Sequence, residues 1–193
     1  MQDRFILNFT PTGMIPTKRM TPLVPITTSE IVKQVLDVTV LGVNMVHLHA
    51  RDECGHPTYK KEVYADIING IREVNKELII CVSTSGRNFC EFEKRSEVLD
   101  LQGPLKPDLG SLTLSSLNFN QQASVNAPDM IKALASKMLT NGIRPELEVF
   151  DFGMINYAKY LIRKGLLVPP YYFNLILGNI ACAQADLMSL GFM

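Results

Sequence analysis

The chain has 193 residues, 47% hydrophobic and 20% charged, with 19 basic residues against 19 acidic ones. That is the composition of a globular chain, and it excludes disorder and fibrous repeats. Zero net charge, with no Lys/Arg block longer than two, excludes a global field drawing it to nucleic acid or an acidic membrane.

Along the chain, short β-branched or aromatic runs predict strands at residues 4–10, 44–50, 78–84, 108–114, 146–150 and 171–177. Helical periodicity fills the gaps. Residues 28–41 place Ile31, Val35 and Val38 on one stripe, after Thr27, Thr28 and Ser29 as candidate N-caps. Residues 61–75 place Val63, Ile67, Ile68 and Ile71 at helical spacing, and residues 91–101, 127–139 and 154–164 follow suit. Gly42, Gly142 and Gly165 each stand where a left-handed C-cap is wanted. An apolar helix is expected to begin in the tail, residues 181–193.

Cys54, Cys81, Cys90 and Cys182 fit neither a zinc ribbon nor a disulfide framework. The start does not read as a signal peptide, and the longest apolar stretch, 165–182, is broken by Pro169-Pro170, Asn174 and Asn179. The expectation is a cytoplasmic protein with reduced thiols and no membrane or nucleic-acid partner.

Strand–helix alternation implies a parallel sheet with crossover helices. The first loop, FTPTGMIPT, has a single glycine and fails the dinucleotide-binding pattern. A (β/α)8 TIM barrel fits better, and the chain reads as one partial barrel domain over residues 1–193. Eight units need about 250 residues, so about six of eight βα units are expected here.

In such a barrel the reactive groups sit at the C-terminal ends of strands. The second strand ends VHLHARD, and alternation points His47 and His49 to one face as a candidate metal clamp. Arg51-Asp52 reads either as an ion pair standing behind the histidines or as a capping loop, the first favoured for Arg51. His56, between Gly55 and Pro57, reads as a solvated loop histidine. The third strand ends in Ser83, Thr84, Ser85 and Gly86, suited to a carboxylate or oxyanion, or equally to an N-cap cluster for the helix near Glu91. Ser111 and Thr113 share a face of the fourth strand, where buried hydroxyls would call for a ligand or water. Glu146 and Glu148 share a face of the fifth. Glu148 is a candidate base or metal-neighbouring carboxylate, whereas Glu146, near the predicted strand start, is expected at the surface.

The stretches TGMIPTKRMTPLVPITTSEI, VHLHARDECGHPT, VSTSG, LKPDLGSLTLSSLNF, PELEVFDFGM and KGLLVPPYYFNLILGN together resemble the β-keto acid cleavage enzyme family, founded on 3-keto-5-aminohexanoate cleavage in lysine fermentation. The resemblance implies a zinc-dependent (β/α)8 barrel, assembled as a homotetramer. Its reaction takes a β-keto acid and acetyl-CoA to acetoacetate and a new acyl-CoA. It implies His47 and His49 as zinc ligands, Ser83 as a substrate-holding serine, Ser111 at a Thr/Ser position, and Glu148 near the reacting groups. Ile15 stands where the aminohexanoate-specific enzyme has a glutamate for the substrate amine, which favours a less cationic or apolar keto acid. The resemblance covers the first part of the family. A later Arg-bearing strand and a G-[LF]-E-D-N motif, source of the third zinc ligand and a catalytic Asp, have no counterpart in this sequence. Two further readings stand beside it: a truncated, non-catalytic remnant that binds metal or keto acid weakly, and another divalent-metal aldolase on the same barrel. From the apolar first and last strands, the 193-residue chain alone is expected to self-associate or be poorly soluble, and to show no cleavage activity.

Overall fold

The computed structural model describes residues 5–193, and Arg4, where the first predicted strand begins, lies outside them. The chain forms an α/β fold whose contacts gather in two compact units. One runs to Ser83 and adds Glu97–Leu109, and the other comprises Thr84–Ser96 and Gly110–Met193.

The first unit is built on β1 (Asn8–Phe9), α1 (Thr28–Thr39), β2 (Met45–Leu48), β3 (Ala50–Arg51), β4 (Pro57–Thr58), α2 (Lys61–Arg72) and β5 (Ile79–Val82). β2 pairs in parallel with β1 on one side and β5 on the other. Every residue of β2 is buried, as a parallel strand covered on both faces requires. β1 is shorter than predicted because a side chain takes the place of the ladder. Asn44 Nδ2 donates to the Phe5 carbonyl, and Asn44 Oδ1 accepts from Leu7 N, both at 2.9 Å. α1 starts at a reciprocal cap. Thr27 Oγ1 accepts from Glu30 N at 3.2 Å, while Glu30 Oε2 accepts from Thr27 N at 3.1 Å. Its Ile31 and Val35 are buried, and it packs on α2 with Val32 against Gly70; Ile67, Ile68 and Ile71 of α2 are fully buried.

The second unit comprises α3 (Phe92–Ser96), β6 from Gly110 onward (the strand runs Leu109–Thr113), β7 (Leu117–Asn118), β8 (Ala123–Ser124), α4 (Pro128–Thr140), β9 (Arg144–Val149), α5 (Phe152–Arg163), β10 (Tyr172–Leu175) and α6 (Leu187–Phe192). Its sheet order is β6-β9-β10, with β9 and β10 parallel and a separate β7-β8 hairpin. Leu147 and Val149 of β9 and Leu134 and Met138 of α4 are among its buried core.

Two predicted helices are cut back by more than a turn, whereas 28–41 and 61–75 lose only their last two or three residues. Residues 91–101 divide into α3 and a 3-10 turn, Glu97–Asp100. Glu97 is engaged elsewhere, its carboxylate accepting from Lys61 N at 3.2 Å, the start of a helix that lacks a side-chain cap of its own. In the tail, only α6 is helical. Asp186 caps it by accepting from Ser189 N at 2.7 Å. Among the described residues, no helix is long and apolar enough to cross a membrane, and all four cysteines are free thiols.

Candidate functional site

In the first unit, β2 carries His47 and ends one residue before His49. The two rings nonetheless converge, with centroids 5.0 Å apart and planes tilted by 30°. His47 is 6% exposed and His49 is half-buried. Two imidazoles this close can offer nitrogen ligands to one divalent ion. Ser83 lies just past β5. It is buried, its N–H donates to the Leu48 carbonyl at 3.0 Å, and its own carbonyl accepts from Tyr64 Oη at 3.4 Å. Burial pushes the Tyr64 phenol well above its ordinary pKa, so it stays a donor.

Arg51 does not serve as the ion pair favoured from sequence. It is buried and donates to the carbonyls of Gly13, Pro16 (3.0 Å) and Gly55 (3.0 Å), tying the loop after β1 to the β3-β4 hairpin. Desolvation lowers its pKa, and the neighbouring Asp52 opposes that shift. His56 is a solvated loop residue, its side chain 77% exposed. The hairpin does bring Asp52, Cys54 and His56 together, with ligand atoms within 4.8 Å of one another. Asp52 Oδ1 is already committed to the turn, accepting from the N–H groups of Cys54 and His56 at 2.9 Å each.

In the second unit the hydroxyls find protein partners, where the sequence suggested a ligand or water. Thr84 N donates to Ser111 Oγ at 3.0 Å, and Thr84 Oγ1 donates to the Ser111 carbonyl at 2.6 Å. Thr113 Oγ1 lies 2.6 Å from Glu148 Oε2 and donates to it, which orients that half-buried carboxylate. Ser85 Oγ accepts from Arg87 N at 3.3 Å, a turn within the loop. α3 starts only at Phe92, so the Ser83–Gly86 run is not its N-cap.

Glu146 corrects the expectation of a surface residue. It is 0% exposed and accepts from Asn174 Nδ2 at 3.1 Å. The strand starts earlier than predicted, at Arg144, which puts Glu146 in its middle.

Sequence reasoning missed two arginines. Arg95 is buried and donates to the Thr84 carbonyl at 2.9 Å, the Val125 carbonyl at 3.1 Å and Asn126 Oδ1 at 2.7 Å. Desolvation brings its pKa down to about 10, still far above neutrality, so it remains a cation. Arg87 stacks on Phe119, its guanidinium carbon 3.3 Å from the ring centroid. The signal for Arg87 was a cation directly after Gly86, whereas Arg95, within α3, carried none.

Fold and site define an α/β protein with histidines, hydroxyls and carboxylates on or just beyond its strands. The chain belongs to the β-keto acid cleavage enzyme family, whose profile matches residues 4–193. It is 33% identical over 192 residues to the 3-keto-5-aminohexanoate cleavage enzyme of Acetoanaerobium sticklandii, covering 97% of this chain and 69% of the relative. It is also 33% identical over 192 residues to the 3-oxoadipate:acetyl-CoA acetyltransferase of Cupriavidus necator, covering 100% of this chain and 66% of that one. Among solved structures, apo ObcA superposes with a TM-score of 0.75 at 24% identity, over 87% of this chain and 39% of ObcA. The chain thus spans about two thirds of these curated relatives and well under half of ObcA.

Proposed function

We propose that this chain carries the metal-binding and substrate-holding part of a β-keto acid cleavage enzyme, built as the first six units of a (β/α)8 barrel. The reaction takes a β-keto acid and acetyl-CoA to acetoacetate and a new acyl-CoA. The bond between C2 and C3 of the keto acid breaks, C2 with its carboxylate becomes bonded to the acetyl carbonyl, and the released acyl group takes the CoA thiolate.

The observation that carries this reading is the convergence of His47 and His49, 5.0 Å between centroids, in a chain of this family. The pair fits a divalent ion, Zn2+ by resemblance, whose chemistry when bound is to polarise the keto oxygen. For the substrate carboxylate the groups proposed are the Ser83 and Ser85 hydroxyls and the Ser85 and Gly86 amides, with Thr84 holding the run in place through its bonds to Ser111. Ser111 fixes the Thr84 backbone through its Oγ, and Thr113 aims Glu148. An oriented carboxylate is suited to moving the proton at C2. Ile15, partly exposed, provides no anion for a substrate ammonium. The protein is read as cytoplasmic and homo-oligomeric, with no nucleic-acid partner.

The test joins this chain to the remaining third of the A. sticklandii relative. The Zn2+-loaded protein is supplied with acetyl-CoA and a β-keto acid. Acetoacetate should form, and the double variant His47→Ala/His49→Ala should abolish it. Equal acetoacetate from both would overturn the assignment.

A further inference from the structure

Arginines in the second unit are used in two different ways. Arg95 spends its donors on three protein oxygens. The Arg87 guanidinium, among the described residues, donates to no protein acceptor, and its contacts are the Phe119 ring and the charge of Glu148. It is not a freely swinging surface side chain. The face of the guanidinium lies on Phe119, and Phe119 in turn stands edge-on to Phe150 at 5.6 Å. Phe119 sits in the β7-β8 hairpin, where its N–H donates to the Gln122 carbonyl at 2.9 Å. The backbone of Arg87 is held as well, through Ser85 Oγ.

Stacking occupies the faces of a guanidinium and leaves its edge, with five N–H donors, available. A half-buried fork fixed in this way has already given up much of its rotamer entropy, so little is left to lose when an anion binds. Partial burial also lowers its pKa by desolvation, the sign of a cation short of solvent. The chemistry that matches a planar fork is a carboxylate, taken bidentately.

We propose that Arg87 is a specificity-determining residue that receives a second carboxylate, at the far end of the substrate, so that the site takes β-keto diacids. This rests on the reading of the chain as a β-keto acid cleavage enzyme and names its substrate class. The first carboxylate goes to Ser85 and Gly86, in the turn that leads into Arg87, and the second to the Arg87 guanidinium.

Binding to the full 193-residue chain tests this without turnover. Glutarate serves as the two-carboxylate probe, butyrate as the one-carboxylate control and free CoA as the phosphate-bearing control, each titrated by calorimetry. A charge-assisted bidentate pair predicts glutarate binding about tenfold or more tighter than butyrate. Arg87→Ala should erase that preference and leave butyrate and CoA unchanged. Arg87→Lys, a point charge without a fork, should keep part of it. Phe119→Leu, which leaves the guanidinium in place but removes its support, should weaken glutarate alone and guards against misfolding of the alanine variant. A preference undiminished in Arg87→Ala, a loss confined to CoA, or no preference in the wild type would each overturn the proposal. Acetoacetate formation by the joined protein is scored separately. An Arg87-dependent preference without acetoacetate would sink the cleavage reading and keep the carboxylate receptor, and the converse result would do the reverse.

Discussion

At Gly86 a side chain has nowhere to go. A Cβ there would sit 2.6 Å from the Val125 carbonyl oxygen and 2.7 Å from Arg95 Nη1. The same close approach lets Arg95 reach Thr84, Val125 and Asn126 at once. Gly86→Ala is therefore expected to destabilise the fold by about 1–3 kcal/mol, read as a lowered urea midpoint, because backbone and a buried cation must both yield. An unchanged midpoint would mean that the loop is free to move aside. This residue was legible as a glycine where groups approach closely, but not what approaches it, since Arg95 and Val125 arrive from later segments. Glu146 was misplaced for a related reason. Its burial depends on where β9 starts, and Arg144-Pro145 does not read as strand by propensity. The hydroxyl partners were hidden in the same way: Thr84 with Ser111, and Thr113 with Glu148, are bonds between segments far apart in sequence. Among single residues, Ser83→Ala should impair acetoacetate formation in the joined protein more than His56→Ala does, because Ser83 is buried past β5 while His56 is solvated. The opposite ranking would move the site.

Elements were more legible than partners. Helix starts, glycine stops and strand cores follow from local chemistry, and all six predicted strands exist, five of them shortened and the fifth extended at its start to Arg144. Gly142, at φ +63°, ends the α4 segment just before β9, as the left-handed stop requires. Gly142→Ala should cost about 1 kcal/mol in denaturant unfolding, the penalty for a side chain in that conformation. At the other end of the molecule's first helix, Glu30 is held at about 2 by Lys18, first of all, and by the N–H groups of Ile26 and Thr27. A carboxyl whose folded pKa lies below its ordinary 4.5 contributes stability above that value and loses it as pH falls toward about 2. The pair with Lys18 is largely solvated, so screening keeps the effect small. Thermal melts of wild type and Glu30→Gln should differ at neutral pH and converge as the pH drops through that window. A difference that persists at the acid end would assign the helix start to packing alone. The helix predicted over residues 91–101 was less legible, because its interruption serves α2, through the Glu97 carboxylate on Lys61 N.

On the scale of the whole molecule, large apolar side chains remain in solvent. Phe5 is 73% exposed in the first unit, and Leu187 and Phe192 are 86% and 73% exposed in the second. Such residues favour association with apolar partners. The chain should therefore self-associate in light scattering, and Leu187→Glu with Phe192→Glu should shift it toward smaller species. A monodisperse monomer in the wild type would remove the homo-oligomer from the account. The functional reading stands on His47 and His49 as the metal-binding pair. Two protein ligands completed by water bind Zn2+ more weakly than the usual three. Calorimetric titration of the chain with Zn2+ should show measurable but weak binding, lost in His47→Ala and retained in Cys54→Ser. Equal affinity in wild type and His47→Ala, or a loss confined to Cys54→Ser, would place the metal on the Asp52–His56 hairpin or nowhere and contradict the account.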